Sequence, residues 1–222
     1  MTELQTTSLP DAVYLALRES IVATTDPPGS VLTEAAVSAR YGVARPTAKV
    51  AIERLVSEGM LRRSAHRTAQ VPELDESDIY DLYASRLVIE EAALRNLAEG
   101  GVIPEGARTA HRALIAIADA SEPTTYARAD IAFHRALVLG QSSPRLAKMH
   151  ALIMGEIELC IGQVDSNRLL TAADVAAQHQ GILDAVAAAD AELAGTRTRE
   201  HILTSRNRLL SHAYGRSGTA AS

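Results

Sequence analysis

The chain has 222 residues, of which 47% are hydrophobic and 22% charged, and a formal net charge of −5. That length is more than one average domain and less than two, and the composition excludes a disordered tail and a protein that coats nucleic acid indiscriminately. Cys160 is the one cysteine, so no internal disulfide can form; with no charged-then-apolar leader over residues 1–10 and no apolar run long enough to span a bilayer, the sequence predicts a soluble cytoplasmic protein that does not enter a membrane.

In chain order, Leu9, Val13, Leu17 and Ile21 recur every four residues and predict a helix, which "TTDPPGS" stops with two prolines and a glycine. Thr33 opens a short second helix through Arg40, and "YGV" is the turn. A third helix from about Arg45 to Glu58 places Ala48, Ala51, Ile52, Leu55 and Val56 on one face. After Gly59, "MLRRSAHRTAQVP" reads as a β-hairpin of two short basic runs, and Pro72 closes the unit. From Asp75 onward only helical periods appear, broken at Gly100 and Gly101, Pro104, Pro123 and residues 142–144. Asp75 with Asp78, Ser143 before Pro144, and Thr171 with Asp174 mark helix starts. The expected fold is mainly α: an N-terminal winged helix-turn-helix over 1–72, a C-terminal all-helical antiparallel bundle of about six helices over 73–214, and a flexible tail over 215–222.

Charge separates the same two segments. Residues 1–72 hold 8 Lys and Arg against 7 Asp and Glu, whereas residues 73–222 hold 14 against 20. Arg40, Arg45, Lys49, Arg54, Arg62, Arg63 and Arg67 crowd into less than half of the first segment, a basic patch on an acidic protein. A charge run on a helix is often only solvated. Here its place in a helix, short helix, glycine turn, helix and basic hairpin favours DNA binding, with the third helix in the major groove and the wing on the backbone. The DNA-facing set is Thr33 at the start of the second helix, Arg45, Thr47 and Lys49 on the third, and Arg62, Arg63 and Arg67 as phosphate contacts of the wing.

A second constellation lies in "ADIAFHRAL". Asp130 and His134 stand four positions apart on one helix face, with about 6 Å of axial rise between them, a spacing at which two side chains can share a metal ion. Most such pairs are exposed or hydrogen-bonded to each other, so further ligands are needed. In "AAQHQGILDAVAAADAELAGTRTREHILTSR" a small polar break at Ala189 and Asp190 predicts an antiparallel helix pair. His179 lies 11 residues before Asp190 and His201 lies 11 after it, which sets both imidazoles at one level of the hairpin. One carboxylate and three imidazoles suit Zn²⁺ first, with Ni²⁺ or Mn²⁺ also compatible; the alternative is separate core or surface histidines.

These residues resemble a known family. "LTEAAVSARYGVARPTAKVAIERLVSEGMLRR" is similar to the GntR winged helix, and the remainder resembles the FCD ligand-binding domain of the FadR subfamily, whose aspartate, three residues, histidine and two later histidines are matched by Asp130, His134, His179 and His201. The resemblance implies a homodimeric repressor or activator that binds a palindromic operator, with a small organic acid entering the bundle beside the metal. It implies that Arg86, in "LYASRLVIEEAAL", reaches the acid's carboxylate; an ion pair with Glu90 or Glu91 is the competing role. Departures from the family wording are Ala44 in place of a capping serine, Pro46 and Thr47 in reversed order, Lys49 where arginine is common, a hairpin without its usual glycines, and Ser143 in place of asparagine. The function expected is a ligand-responsive transcription regulator, most simply a repressor. Two alternatives are a metal-dependent hydrolase built on the same four ligands, for which neither Glu156 nor Glu158 shares a motif with them, and a dimerisation module with an empty pocket.

Overall fold

The computed structural model describes residues 8–63, 68–120, 126–162 and 171–215; Arg67 with the centre of the hairpin, Pro123, the first seven residues and the tail from Arg216 lie outside them. The chain divides between Leu74 and Asp75 into two units.

In the first unit, Ser8 caps α1 (Leu9–Val22) by accepting from the Asp11 amide. Val13, Leu17 and Ile21 are buried, as their spacing predicts, and Tyr14 joins them; Leu9 is exposed, since the first turn of the helix runs beyond the core. Thr33 stands just before α2 (Glu34–Tyr41) as its cap, its hydroxyl accepting from the Ala36 amide at 3.1 Å. Gly42 then turns the chain at φ 65°, a left-handed conformation that costs a residue with a Cβ about 1–2 kcal/mol. Helix α3 (Arg45–Ser57) buries Ala48, Ala51, Ile52 and Leu55 against α1 and α2, while Val56 is half-buried. Ala44, at its N-cap, offers no side-chain hydrogen bond. Strands β2 (Arg62–Arg63) and β3 (Ala69–Gln70) pair antiparallel as the wing. A strand outside the sequence reading, β1 (Val31–Leu32), pairs on the other side of β3, giving the order β1-β3-β2. At two residues it is too short to carry a periodic signal.

Among the described residues the second unit contains six helices and no strand: α4 (Glu76–Gly100), α5 (Glu105–Ala120), α6 (Tyr126–Gly140), α7 (Pro144–Gly162), α8 (Ala172–Ala187) and α9 (Ala191–Tyr214). Their starts follow the sequence. Asp75 and Asp78 form a reciprocal capping box on α4, as do Thr171 and Asp174 on α8, and Ser143 Oγ accepts from the Leu146 amide at the head of α7. Asp190 caps α9 after a break of three residues in which Ala189 takes φ 55°. Helix α4 packs against α6, α7, α8 and α9 around a core that includes Ile89, Leu94, Phe133, Leu137, Ile182 and Val186. Among the described residues no helix is long and apolar enough to cross a membrane.

The uncapped start of α3 predicts that Ala44→Ser stabilises the winged unit by about 1 kcal/mol. Its thermal unfolding midpoint should rise; an unchanged midpoint would mean that other groups already satisfy those amides.

Candidate metal centre and nucleic-acid interface

Helix α6 buries one face made of Ala129, Asp130, Phe133, His134 and Leu137, so the same periodicity that buries the apolar residues carries Asp130 and His134 inward. The short connection between α8 and α9 brings His179 and His201 level, with ring centroids 4.9 Å apart. All four side chains are buried, and each offers one ligand atom within 4.8 Å of the others. Asp130 Oδ1 lies 3.1 Å from His179 Nε2, 3.6 Å from His134 Nε2 and 3.8 Å from His201 Nε2, and the His134 and His201 Nε2 atoms are 3.0 Å apart. Ligand bonds of about 2.0–2.2 Å in a tetrahedron separate neighbouring ligand atoms by about 3.3–3.6 Å, so these distances bracket the edge of such a site. Asp130 Oδ1 and His179 Nε2 are buried with no hydrogen-bond partner, which a satisfied polar cluster would not leave. The donor set and these orphaned atoms fit a divalent cation.

Each ring is held from behind. Gln178 Oε1 lies 2.7 Å from His201 Nδ1, and Glu90 Oε2 lies 2.6 Å from His134 Nδ1, close but at an oblique angle. His179 has no partner at Nδ1; its ring stacks on Phe133, the chain's one phenylalanine, at 3.8 Å between centroids. Burial, and then the neighbouring histidines, keep His201 well below the usual imidazole pKa. Burial likewise pushes His179 down to about 4, against the pull of Asp130. Burial opposes ionisation of Asp130, yet His134 and His179 hold its carboxyl well below the usual range. Burial alone would depress His134 too, but the Glu90 and Asp130 carboxylates raise it above the ordinary value. Burial thus favours neutral rings at His179 and His201, while the neighbouring carboxylates favour the charged ring at His134.

Arg86 makes the ion pair with Glu90, one of the two roles weighed for it from sequence. Its Nε donates to Glu90 Oε1 at 2.7 Å, with both side chains buried, while Nη2 is buried without a partner. Glu91 instead pairs with Arg95 and Arg199. Arg86 and Asp130 line one narrow cleft of about 30 Å³ with Tyr83, Tyr126, Ser205 and Arg208. Sequence reasoning missed His150, whose Nε2 lies 2.8 Å from Glu90 Oε1, and the parts played by Gln178 and Phe133; the one available signal was the four-residue step from Arg86 to Glu90.

On the winged unit the basic patch divides. Arg40 is held by Asp26 at 2.7 Å and Ser20 at 2.8 Å, and Arg54 by Asp11 at 3.0 Å and Glu58 at 3.1 Å. The Arg54 guanidinium also lies 3.7 Å from the Tyr14 ring centroid, and Arg63 is paired with Glu53. Arg45 and Lys49 are exposed one turn apart on α3, with no ion pair among the described residues, and Thr47 lies half-buried between them. Arg62 and Arg63 are exposed on β2; Arg67 lies outside the described residues.

Comparison with known proteins places these features. Residues 9–71 match the family described as bacterial regulatory proteins, gntR family, and residues 81–204, more than half of the chain, match the FCD domain. A Paenarthrobacter nicotinovorans protein named "Probable D-xylose utilization operon transcriptional repressor" is 27% identical over 179 residues, covering 80% of this chain and 76% of its own length. The HTH-type transcriptional regulator BphR of Paraburkholderia xenovorans is 27% identical over 206 residues, covering 89% and 84%. Two solved structures share the fold: a GntR transcriptional regulator from Rhodococcus sp. RHA1, with TM-score 0.75 and 24% identity over 91% of this chain and 97% of that one, and E. coli McbR/YncC, with TM-score 0.71 and 18% identity over 94% and 100%. The family and the two named relatives are transcription regulators and not enzymes, which sets the hydrolase reading aside. The chain belongs to the gntR family of bacterial regulatory proteins, carries an FCD domain, and is a DNA-binding transcription regulator.

Proposed function

We propose that this regulator is a cytoplasmic homodimeric repressor whose FCD domain holds a divalent cation, Zn²⁺ before Ni²⁺ or Mn²⁺, through Asp130, His134, His179 and His201, and that a small carboxylic acid binding beside the cation changes its grip on a palindromic operator. The observation that carries this reading is the set of buried unsatisfied atoms: Asp130 Oδ1 and His179 Nε2, which face one another, and Nη2 of Arg86, a residue that lines the adjoining cleft.

Charge balance supports the acid. With His134 protonated, the Asp130 and Glu90 carboxylates are matched by His134 and Arg86. A divalent cation that displaces the His134 proton leaves one positive charge in excess, and one carboxylate restores neutrality where an isolated charge is costly. The narrow cleft favours a small acid, and the free Nη2 of Arg86 gives its carboxylate a planar, charged donor. The cation supplies Lewis-acid attraction for the carboxylate; Arg86 orients it.

In the winged domain, Arg45, Lys49 and Thr47 read the major groove, with Thr33 close by and Arg62, Arg63 and Arg67 of the wing on the phosphates. Lysine at position 49 is a point charge and cannot make the bidentate guanine contact of an arginine, so the operator departs from the usual family sequence. The acid acts by population shift: it binds one dimer geometry better than another, and the less favoured geometry has the half-site spacing that two recognition helices need.

Purified protein should contain about one cation per chain by elemental analysis, and at least one acid from a screen of small carboxylates should both raise the melting temperature of the loaded protein and release it from a duplex selected out of random DNA. Protein that takes up neither metal nor acid would support the empty dimerisation module instead. His134→Ala should abolish metal uptake and the acid response while operator binding persists. Arg45→Ala should weaken operator binding about tenfold or more, within the 1–3 kcal/mol of a base contact, and leave metal uptake intact. Loss of metal and DNA binding together in either variant would contradict this division.

The cation competes with the proton on His134, whose pKa lies above 6.5, so Zn²⁺ affinity should fall as pH falls through that value and below it, by about tenfold per pH unit. Chelator competition between pH 8 and pH 5.5 measures this; an affinity flat across that range would contradict the ligand assignment.

A further inference from the structure

Glu90 is fully buried and takes a partner from three sides. Its Oε1 accepts from Arg86 Nε at 2.7 Å and lies 2.8 Å from His150 Nε2, and its Oε2 lies 2.6 Å from His134 Nδ1. Helices α4, α6 and α7 therefore meet on one carboxylate. Arg86 faces the cleft for the acid, and His134 turns its other nitrogen to the cation site.

We propose that Glu90 is the positioning residue that couples cation occupancy to acid affinity. This rests on the metal reading given above. A carboxylate behind a metal-bound imidazole fixes the ring and raises its basicity. The coupling follows from the carboxylate's being shared. Were His134 to hold the cation, its ring would lose electron density, and the Nδ1–H beside Glu90 Oε2 would draw the shared carboxylate charge toward that oxygen. Less of that charge then remains at Oε1 to neutralise Arg86, and the guanidinium attracts an incoming carboxylate more strongly. Empty, the site leaves the Arg86 charge offset by its own glutamate through Nε; loaded, it frees more of that charge for the acid. His150, on the same oxygen as Arg86, carries the change to α7.

The test uses the full chain, with Zn²⁺ and acetate as separate probes. Glu90→Gln keeps the side-chain volume and removes the charge. Zn²⁺ affinity, read by chelator competition, should fall by about ten- to a hundredfold. Acetate affinity of the metal-free protein, read by NMR titration, should rise several-fold, because Arg86 loses its competitor. A residue that merely supports packing would weaken both, so the opposite signs are the signature. Zn²⁺ affinity equal to wild type, or acetate affinity unchanged or lowered, would overturn the proposal. Should Glu90→Gln not fold with Arg86 left unpaired, the neutral pair R86Q/E90Q removes that penalty. It should still hold Zn²⁺ at least tenfold more weakly than wild type, and wild-type affinity there would equally overturn the coupling. Wild-type protein that fails to hold Zn²⁺ would defeat the metal reading itself, whereas retention of Zn²⁺ by both wild type and Glu90→Gln would defeat only the coupling.

Discussion

Two ionised carboxylates buried in a helical bundle constrain the rest of the second unit. Asp130 and Glu90 lie in a low-dielectric interior, where an uncompensated charge costs several kcal/mol. The chain surrounds them with the Arg86 guanidinium on α4 and with the imidazoles of His134 on α6, His150 on α7, His179 on α8 and His201 on α9. The pairing is incomplete: an oxygen of Asp130, a nitrogen of His179 and a guanidinium nitrogen of Arg86 have no partner. A packed protein leaves such atoms unpaired where a ligand is meant to finish the network. In the proposed function a cation and a small acid complete it, each easing the other's binding through the charge that the first leaves behind.

The fold places those groups with few devices. Helix α4 carries Arg86 and Glu90 one turn apart and packs against α6, α7, α8 and α9, so the anion-facing and cation-facing parts share one rigid element. The α8–α9 hairpin sets two imidazoles level; Gln178 holds His201 at Nδ1, the Glu90 carboxylate lies close behind His134, and His179 stacks on Phe133. Because Asp130, His134, His179 and His201 come from three helices, a cation held by them would tie α6, α8 and α9 together and stabilise the folded domain by mass action. In the winged unit the economy is different. Arg40, Arg54 and Arg63 are held by acids of the same unit, whereas Arg45 and Lys49 at the head of α3 are exposed with no ion pair among the described residues.

Much of this was legible in the sequence, for local reasons. Capping pairs such as Asp75 with Asp78 and Thr171 with Asp174 carry their own geometry, so the helix starts could be read directly. The equal arms from Asp190 to His179 and His201 worked because a tight antiparallel pair converts sequence distance into spatial level. What stayed hidden depends on contacts between elements distant in the chain. Strand β1 exists only because β3 pairs with it, and His150 is a lone histidine on an amphipathic helix until α7 lays it against Glu90. At Arg86 the ion pair with Glu90 engages Nε and leaves Nη2 without a partner, because a guanidinium has separate donors. The ion pairs of Arg40 and Arg54 were likewise hidden within the basic crowd, since the acids that hold them lie up to 43 residues away in the chain.

X-ray absorption of the Zn²⁺-loaded protein tests the central claim most directly. The account predicts one site per chain with about three imidazole nitrogens and at least one oxygen at about 2.0–2.2 Å. A first shell of oxygen alone, without imidazole scattering, or zinc bound only at a fraction of an equivalent, would contradict a cation at the meeting point of Asp130, His134, His179 and His201.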